Sequence, residues 1–99
     1  MTIEKKVNGN GLEIALEGRL DTMTAPELEA ELNQSLGGVD SLTLDFSKLE
    51  YISSAGLRVL LSAHKVMSTK GGMKVTNVNE IVQEVFEVTG FADILNIER

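Results

Sequence analysis

Cysteine is absent from the 99-residue sequence, and histidine occurs once. Without cysteine the chain has no disulfide, no thiol nucleophile and no thiolate ligand for a metal ion. A zinc site with a single histidine would need mostly carboxylate ligands. Metal catalysis is therefore disfavoured, and we expect no cofactor.

Basic residues are also scarce, with 9 lysines and arginines against 15 acidic residues and a net charge of −6. No cluster of basic residues stands out along the chain. Because contacts to phosphates supply most of the affinity for nucleic acids, direct binding to DNA or RNA is disfavoured.

Long apolar runs are missing as well. The first residues, Met1–Lys6, lack the apolar core of a signal peptide, and no stretch approaches the length of a membrane span. We therefore expect a cytoplasmic protein that does not insert into a membrane. The length suits one compact domain, residues 1–99, that buries roughly two thirds of its unfolded surface.

The chain begins with a hairpin pattern, in which apolar residues alternate with charged ones on both sides of Asn8–Gly11. The alternating apolar residues are Ile3, Val7, Leu12, Ile14 and Leu16. Period-two alternation around residues that tolerate positive φ predicts an antiparallel pair at one edge of a sheet.

Strands and helices alternate after this hairpin. A capping box at Thr24–Glu27 is followed by apolar residues at helical spacing, which predict a helix that ends at Gly37–Gly38. A third strand around Leu42–Phe46 should run parallel to the second. The helical positions are Ala25, Leu28, Leu32 and Leu36.

The next helix should start at Ser53 or Ser54 and reach about Thr69. Its apolar face is predicted to hold Leu57, Leu60, Leu61, His64 and Met67. Met73–Thr76 predicts a strand, Asn79 caps a last helix that stops at Gly90, and the tail should dock on the core. The inward stripe predicted for that last helix is Ile81, Val82, Val85 and Phe86.

The pattern predicts an α/β fold with a mixed sheet: an antiparallel hairpin, then parallel βα units with helices packed on the sheet. Sites in such folds gather beyond the carboxyl ends of the strands. Three loops are expected there, 18–24, 47–54 and 77–79.

Two adjacent serines stand where the second helix should begin. Ser53 as N-cap would leave Ser54 exposed in the first turn. The free N–H groups and the helix dipole favour negative charge at this place. A plain helix cap and a phosphate acceptor both fit the pattern.

Three segments, Gly18–Asp21, Leu44–Phe46 and Tyr51–Leu57, resemble the STAS domain family, and within it the single-domain anti-sigma factor antagonists. The resemblance implies that Ser54 is the phosphorylated serine. Ser53 stands where many relatives carry Asp, and it is the less favoured acceptor.

The resemblance also implies the function. The unphosphorylated chain would bind an anti-sigma factor that is itself a serine kinase, phosphorylation would end the complex, and a serine phosphatase would restore it. The chain would be a substrate and ligand, not an enzyme. The expected partner contacts are Asp21, Thr22, Ser53, Ser54, Gly56, Leu57 and Arg58.

Two of these contacts carry a specific expectation. Gly56, which lacks a side chain, should let a partner approach Ser54 closely. Leu57 should be half core and half contact surface. The alternative function is a constitutive STAS scaffold that docks on the ATPase of a lipid transporter through the same helix face.

Three further residues could suggest catalysis. Asp45 is expected to anchor loops by hydrogen bonds, and Asp21 to bond loop N–H groups or meet the partner. His64 should be a satisfied, partly buried side chain, between two and three helical turns from Ser54 and thus out of reach as its base. An independent hydrolase is therefore disfavoured.

Overall fold

The computed structural model describes residues 1–98, and it begins with the predicted hairpin. Strand β1 (Thr2–Asn8) pairs with β2 (Gly11–Leu20) in antiparallel register, with Asn8 opposite Gly11. Gly9 has φ +60°, which a first central residue of a two-residue turn requires and which glycine adopts without strain.

The rest of the chain alternates helices and strands. The elements are α1 (Ala25–Ser35), β3 (Ser41–Ile52), α2 (Ser54–Met67), β4 (Met73–Thr76), α3 (Glu80–Thr89) and β5 (Asn96–Glu98), with 3-10 turns at Leu36–Gly38 and Phe91–Asp93. The sheet order is β1-β2-β3-β4-β5, and every pair after the hairpin is parallel. The predicted α/β fold with a mixed sheet is confirmed.

One face of the sheet is buried beneath the helices and the other is open. On the buried face, Leu44 lies between Ile14 and Val75, and all three side chains are fully buried. Asp45, one residue on, points to the other face and is only partly buried. A two-layer domain of this kind leaves the polar sheet face in solvent.

The third strand is longer than predicted. It continues to Ile52, so Ser53 alone separates it from α2, and the expected loop 47–54 is mostly strand. Beyond Phe46, where the register against β2 shifts, the spacing of the buried residues changes from two to three, at Leu49 and Ile52. A spacing of three hides this part of the strand from a search for period-two alternation.

Two predictions about the helices are wrong. Thr24 is the N-cap residue of α1, but its side chain makes no cap bond, because the hydroxyl bonds the preceding loop instead. Ile81 is 59% exposed, whereas Val82 and Phe86 are fully buried. The buried face of α3 is centred on this i, i+4 pair, and Ile81 lies on its outer side.

Candidate functional site

The ends of β2 and β3 bring the first loop and the start of α2 together. Leu20 pairs with Ile52 across the sheet, and the N–H of Ser53 donates to the carbonyl oxygen of Leu20 at 2.9 Å. The residues that follow Leu20 therefore lie beside the first turn of α2. Two of the three predicted loop regions meet at this point.

Ser53 is the N-cap of α2. Its backbone is extended, with φ −101° and ψ 176°, and its Oγ accepts a long hydrogen bond of 3.5 Å from the N–H of Gly56. Its carbonyl oxygen accepts the N–H of Leu57 at 2.9 Å. The Ser53 hydroxyl thus has a structural task and is only partly exposed.

Ser54 is the first residue of α2, and its side chain is exposed. Among residues 1–98 its hydroxyl makes no hydrogen bond. The N–H groups of Ser54 and Ala55 belong to the first turn, which has no intrahelical acceptors. The hydroxyl of Ser54 therefore stands at the positive end of the helix dipole.

Asp21 organises the loop between β2 and α1. Its Oδ1 accepts hydrogen bonds from the N–H groups of Met23 at 3.0 Å and Thr24 at 3.2 Å, and its Oδ2 lies 3.8 Å from Nε of Arg19. Desolvation raises the pKa of Asp21, but the hydrogen bonds from Thr24 and Met23 outweigh it and hold the pKa below its usual value. The predicted bonds to loop N–H groups are present.

The hydroxyl of Thr24 completes the brace of this loop. It donates to the carbonyl oxygen of Arg19 at 2.8 Å and accepts from the N–H of Asp21 at 2.8 Å. The guanidinium of Arg19 stacks over the ring of Tyr51, with 4.6 Å from Cζ to the ring centroid. The loop beside Ser54 is consequently held by contacts at both of its ends.

Asp45 connects its own strand β3 to the loop after β4, so the predicted anchoring by hydrogen bonds is present at one loop. Its Oδ1 accepts hydrogen bonds from the N–H of Ser47 at 2.9 Å and from Nδ2 of Asn77 at 3.0 Å. The bond from Asn77 is the main cause of a lowered pKa of Asp45. Among residues 1–98, Asp45 and Asp21 share no hydrogen-bond partner.

The expected roles of Gly56 and Leu57 at the partner surface are wrong. Gly56 is buried, and a Cβ at this residue would lie 2.7 Å from Cγ of Leu20 and 2.9 Å from Cγ1 of Ile52. Leu57 is 4% exposed. Both residues face the sheet, so Gly56 permits close packing of the helix on β2 and β3 rather than the approach of a partner.

Thr22 and Arg58 are exposed, as a contact surface requires. They line a shallow depression of about 190 Å³ between the first loop and the first turns of α1 and α2. Its other lining residues are Ala25, Pro26, Glu29, Ala55 and Val59. The structure therefore places Thr22 and Arg58 together on one surface. Asp21 precedes Thr22 in the same loop, and Ser53 and Ser54 precede the lining residue Ala55 at the start of α2.

Met23 is an exposed residue of the first loop that was not among the predicted partner contacts. This side chain is 83% exposed in the loop that holds Asp21 and Thr22. Because Met23 fits neither the strand pattern before it nor the helical pattern after it, the sequence already marked it as an apolar residue outside the core. An exposed methionine suits a flexible apolar contact with another protein.

His64 offers no catalytic arrangement. It is partly buried, as predicted, but its Nδ1 is buried and has no hydrogen-bond partner among residues 1–98, so it is not the satisfied histidine we expected. It lies about 15 Å from Ser54 along the helix axis. This separation prevents it from serving Ser54 as a base.

Neither a metal cluster nor a membrane span is found in the described part of the chain. Residues 1–98 contain no group of three or more acidic or histidine side chains placed to hold a metal ion. None of the helices in this range combines the length and the apolar character that crossing a membrane demands.

Sequence comparison identifies relatives over nearly the whole chain. BtrV of Bordetella bronchiseptica, which is named as an anti-sigma factor antagonist, is 40% identical over 91 residues, which are 89% of this chain and 78% of BtrV. The anti-sigma-B factor antagonist of Bacillus subtilis is 28% identical over 98 residues, which are 98% of this chain and 90% of that protein.

Solved structures share the fold. An anti-sigma factor antagonist from Mycobacterium paratuberculosis matches with a TM-score of 0.89 and 20% identity, over 98% of this chain and 84% of the other. The Bacillus cell fate determinant SpoIIAA in its phosphorylated form matches with a TM-score of 0.75 and 19% identity, over 97% and 90%. The STAS domain profile matches residues 2–99, and this chain therefore belongs to the STAS domain family.

Proposed function

We propose that the chain is an anti-sigma factor antagonist whose binding to its partner is switched off by phosphorylation of Ser54. The observation that carries the proposal is the exposed hydroxyl of Ser54 at the start of α2. The names of its relatives support antagonism of an anti-sigma factor over a scaffold on a transporter ATPase. The phosphorylated state of SpoIIAA, a structure of the same fold, agrees with such a switch.

The switch works because the same charge meets two different surroundings. A phosphate adds about −1.5 to −2 charges and three acceptor oxygens. Within the domain, the first-turn N–H groups of α2 and the helix dipole stabilise this charge. Arg58 lies four residues after Ser54 on the same helix face, and its exposed side chain can reach a phosphate on Ser54.

A docked partner provides no such surroundings. An apolar or acidic surface pressed against Ser54 would remove water from the phosphate without replacing its hydrogen bonds, which is costly. Phosphorylation should therefore break the complex and leave the domain folded.

Ser54 is the better acceptor of the two serines. The Oγ of Ser53 caps the helix and is partly buried, whereas the Oγ of Ser54 is exposed and makes no hydrogen bond among residues 1–98. A kinase can reach Ser54 without opening the cap.

The contact surface is centred on Ser54. It comprises Asp21, Thr22, Met23, Ser53, Ser54 and Arg58. The partner is an anti-sigma factor that phosphorylates Ser54 with ATP, and a serine phosphatase removes the phosphate. The chain itself catalyses no reaction, and it acts in the cytoplasm, where sigma factors direct transcription.

The test is incubation with the anti-sigma factor kinase of the same organism and ATP, followed by peptide mapping. Wild type should carry the phosphate on Ser54, Ser53→Ala should still be phosphorylated, and Ser54→Ala should not. In pull-downs Ser54→Ala should bind the kinase and resist release by ATP, while Ser54→Asp should fail to bind. Recovery of a transporter ATPase by an unphosphorylated chain would instead favour the scaffold.

A further inference from the structure

Strand β1 leaves one edge of the sheet open. Its inner side pairs with β2, and within residues 1–98 no strand pairs with its outer side. The closing pair of the two-residue turn, Asn8 and Gly11, is hydrogen-bonded, and such pairs alternate along an antiparallel ladder. The residues whose N–H and C=O groups point outward from the sheet are therefore Ile3, Lys5 and Val7.

We propose that two copies of the chain pair through their β1 strands, antiparallel, about a twofold axis at Lys5. The outward N–H and C=O groups then form three hydrogen-bonded pairs: Lys5 with Lys5 of the second copy, and Ile3 with Val7 in both directions. The two sheets become one continuous sheet. This pairing is independent of the switch proposed for Ser54.

Charge complementarity on the open sheet face favours this register. With the axis at Lys5, Glu4 lies opposite Lys6 of the second copy, and Lys6 lies opposite Glu4, both on the open sheet face. Opposite charges facing each other across two strands are stabilising, and like charges are destabilising. An axis at Glu4 would place two glutamates face to face, and an axis at Lys6 would place two lysines face to face.

The helix-side face of the same strand is also complementary. Ile3 and Val7, which is 69% exposed in the single chain, would cover each other. Lys5 would lie opposite Lys5 of the second copy. Each Lys5 already has an acidic partner, because its Nζ lies 3.1 Å from Oε2 of Glu31 on α1. The like charges at the axis are therefore compensated within each chain.

The dimer should be weak. One strand pair buries much less surface than the ~1,600 Å² of a standard protein interface. Surface Glu–Lys pairs also lose strength as salt rises. We expect self-association that grows with protein concentration and declines in high salt.

Single cysteines test the register, because the chain has no cysteine of its own. In a hydrogen-bonded pair the Cα atoms are about 5.5 Å apart, within the range that a disulfide spans. Lys5→Cys should therefore form disulfide-linked dimers under mild oxidation. Glu4→Cys and Lys6→Cys are matched controls. In each of these variants the two cysteine Cα atoms of the dimer would lie about 8 Å apart, beyond disulfide reach.

A charge swap tests the pairing without a covalent bond. Glu4→Lys puts lysine opposite Lys6 of the second copy, and sedimentation should show loss of the dimer. The double variant Glu4→Lys/Lys6→Glu restores opposite charges and should restore the dimer, provided that thermal unfolding shows both variants folded. Equal cross-linking at residues 4, 5 and 6, or a wild type that stays monomeric at about 1 mM, would overturn the proposal.

Discussion

A methyl group placed on Gly56 would stand 2.7 Å from Cγ of Leu20, so the first turn of α2 rests directly on the end of β2. The N–H of Ser53 donates to the carbonyl oxygen of Leu20 in the same place. These two contacts fix the position of the first turn of α2, which includes Ser54, relative to the sheet. The position of the proposed phosphate acceptor is thus set by packing in the core.

Gly56→Ala should destabilise the domain by about 1–3 kcal/mol, the usual cost of overpacking, because Leu20 and Ile52 are fully buried and have no room to move. Urea unfolding measures this change. Gly37→Ala is the matched control, since no atom lies within 4 Å of the point where its Cβ would stand and the change should be nearly neutral. Equal stability of the two variants would contradict the packing role of Gly56.

The two serines should separate in stability measurements. Ser53→Ala removes the N-cap bond and should cost about 0.5–1 kcal/mol, at the low end of the range because the bond is 3.5 Å long. Ser53→Asp keeps an acceptor at the cap and should recover most of the loss. Ser54→Ala should change the free energy of unfolding by less than about 0.5 kcal/mol. A larger loss from Ser54→Ala than from Ser53→Ala would reverse the assignment of the cap.

The bond between Asn77 and Asp45 should appear in the acid stability. Because the folded pKa of Asp45 is lowered from 3.8, its contribution is complete above that value and disappears as the pH falls through the folded pKa. Asn77→Gly removes the amide while suiting the φ of +58° at this residue.

The free energy of unfolding, measured by urea from neutral pH to about pH 2, should therefore show that this variant loses stability near neutrality and converges with wild type in acid. Asp45→Asn, which removes the titrating group, serves as the control and should flatten the same acid limb. A deficit for Asn77→Gly that is constant across the pH range would show that the carboxylate is not involved.

Met23 provides a test of the contact surface that avoids the serines. Because its side chain is 83% exposed, Met23→Ser should leave the free energy of unfolding nearly unchanged. If Met23 is a contact residue, Kd for the anti-sigma factor should rise by about fivefold or more, corresponding to at least about 1 kcal/mol. Val88→Ser, which alters another exposed apolar residue on α3, is the control and should bind as wild type does.

The sequence predicted those parts of the fold that follow from local pattern. The hairpin, the parallel βα order and the caps by Ser53 and Asn79 all depend on spacing or on turn residues within a few positions. Two local expectations near the candidate site are confirmed, the bonds from loop N–H groups to Asp21 and the exposure of Ser54 after the Ser53 cap. Their roles in binding and phosphorylation stay predictions from the family resemblance.

The errors come from contacts that no local sequence pattern encodes. Gly56 is needed because Leu20 lies above it, which no pattern near Gly56 reveals. The third strand was predicted too short, because register shifts between β2 and β3 interrupt its period-two alternation. Thr24 bonds the carbonyl oxygen of Arg19 rather than the helix, a choice fixed by the path of the loop.

The most direct measurement is a calorimetric titration of the anti-sigma factor with the unphosphorylated chain and with the chain phosphorylated on Ser54, each checked for folding by thermal unfolding. We predict that both forms unfold cooperatively at similar temperatures and that phosphorylation raises Kd by at least tenfold, about 1.4 kcal/mol. Equal affinity of the two folded forms for the anti-sigma factor would contradict the switch.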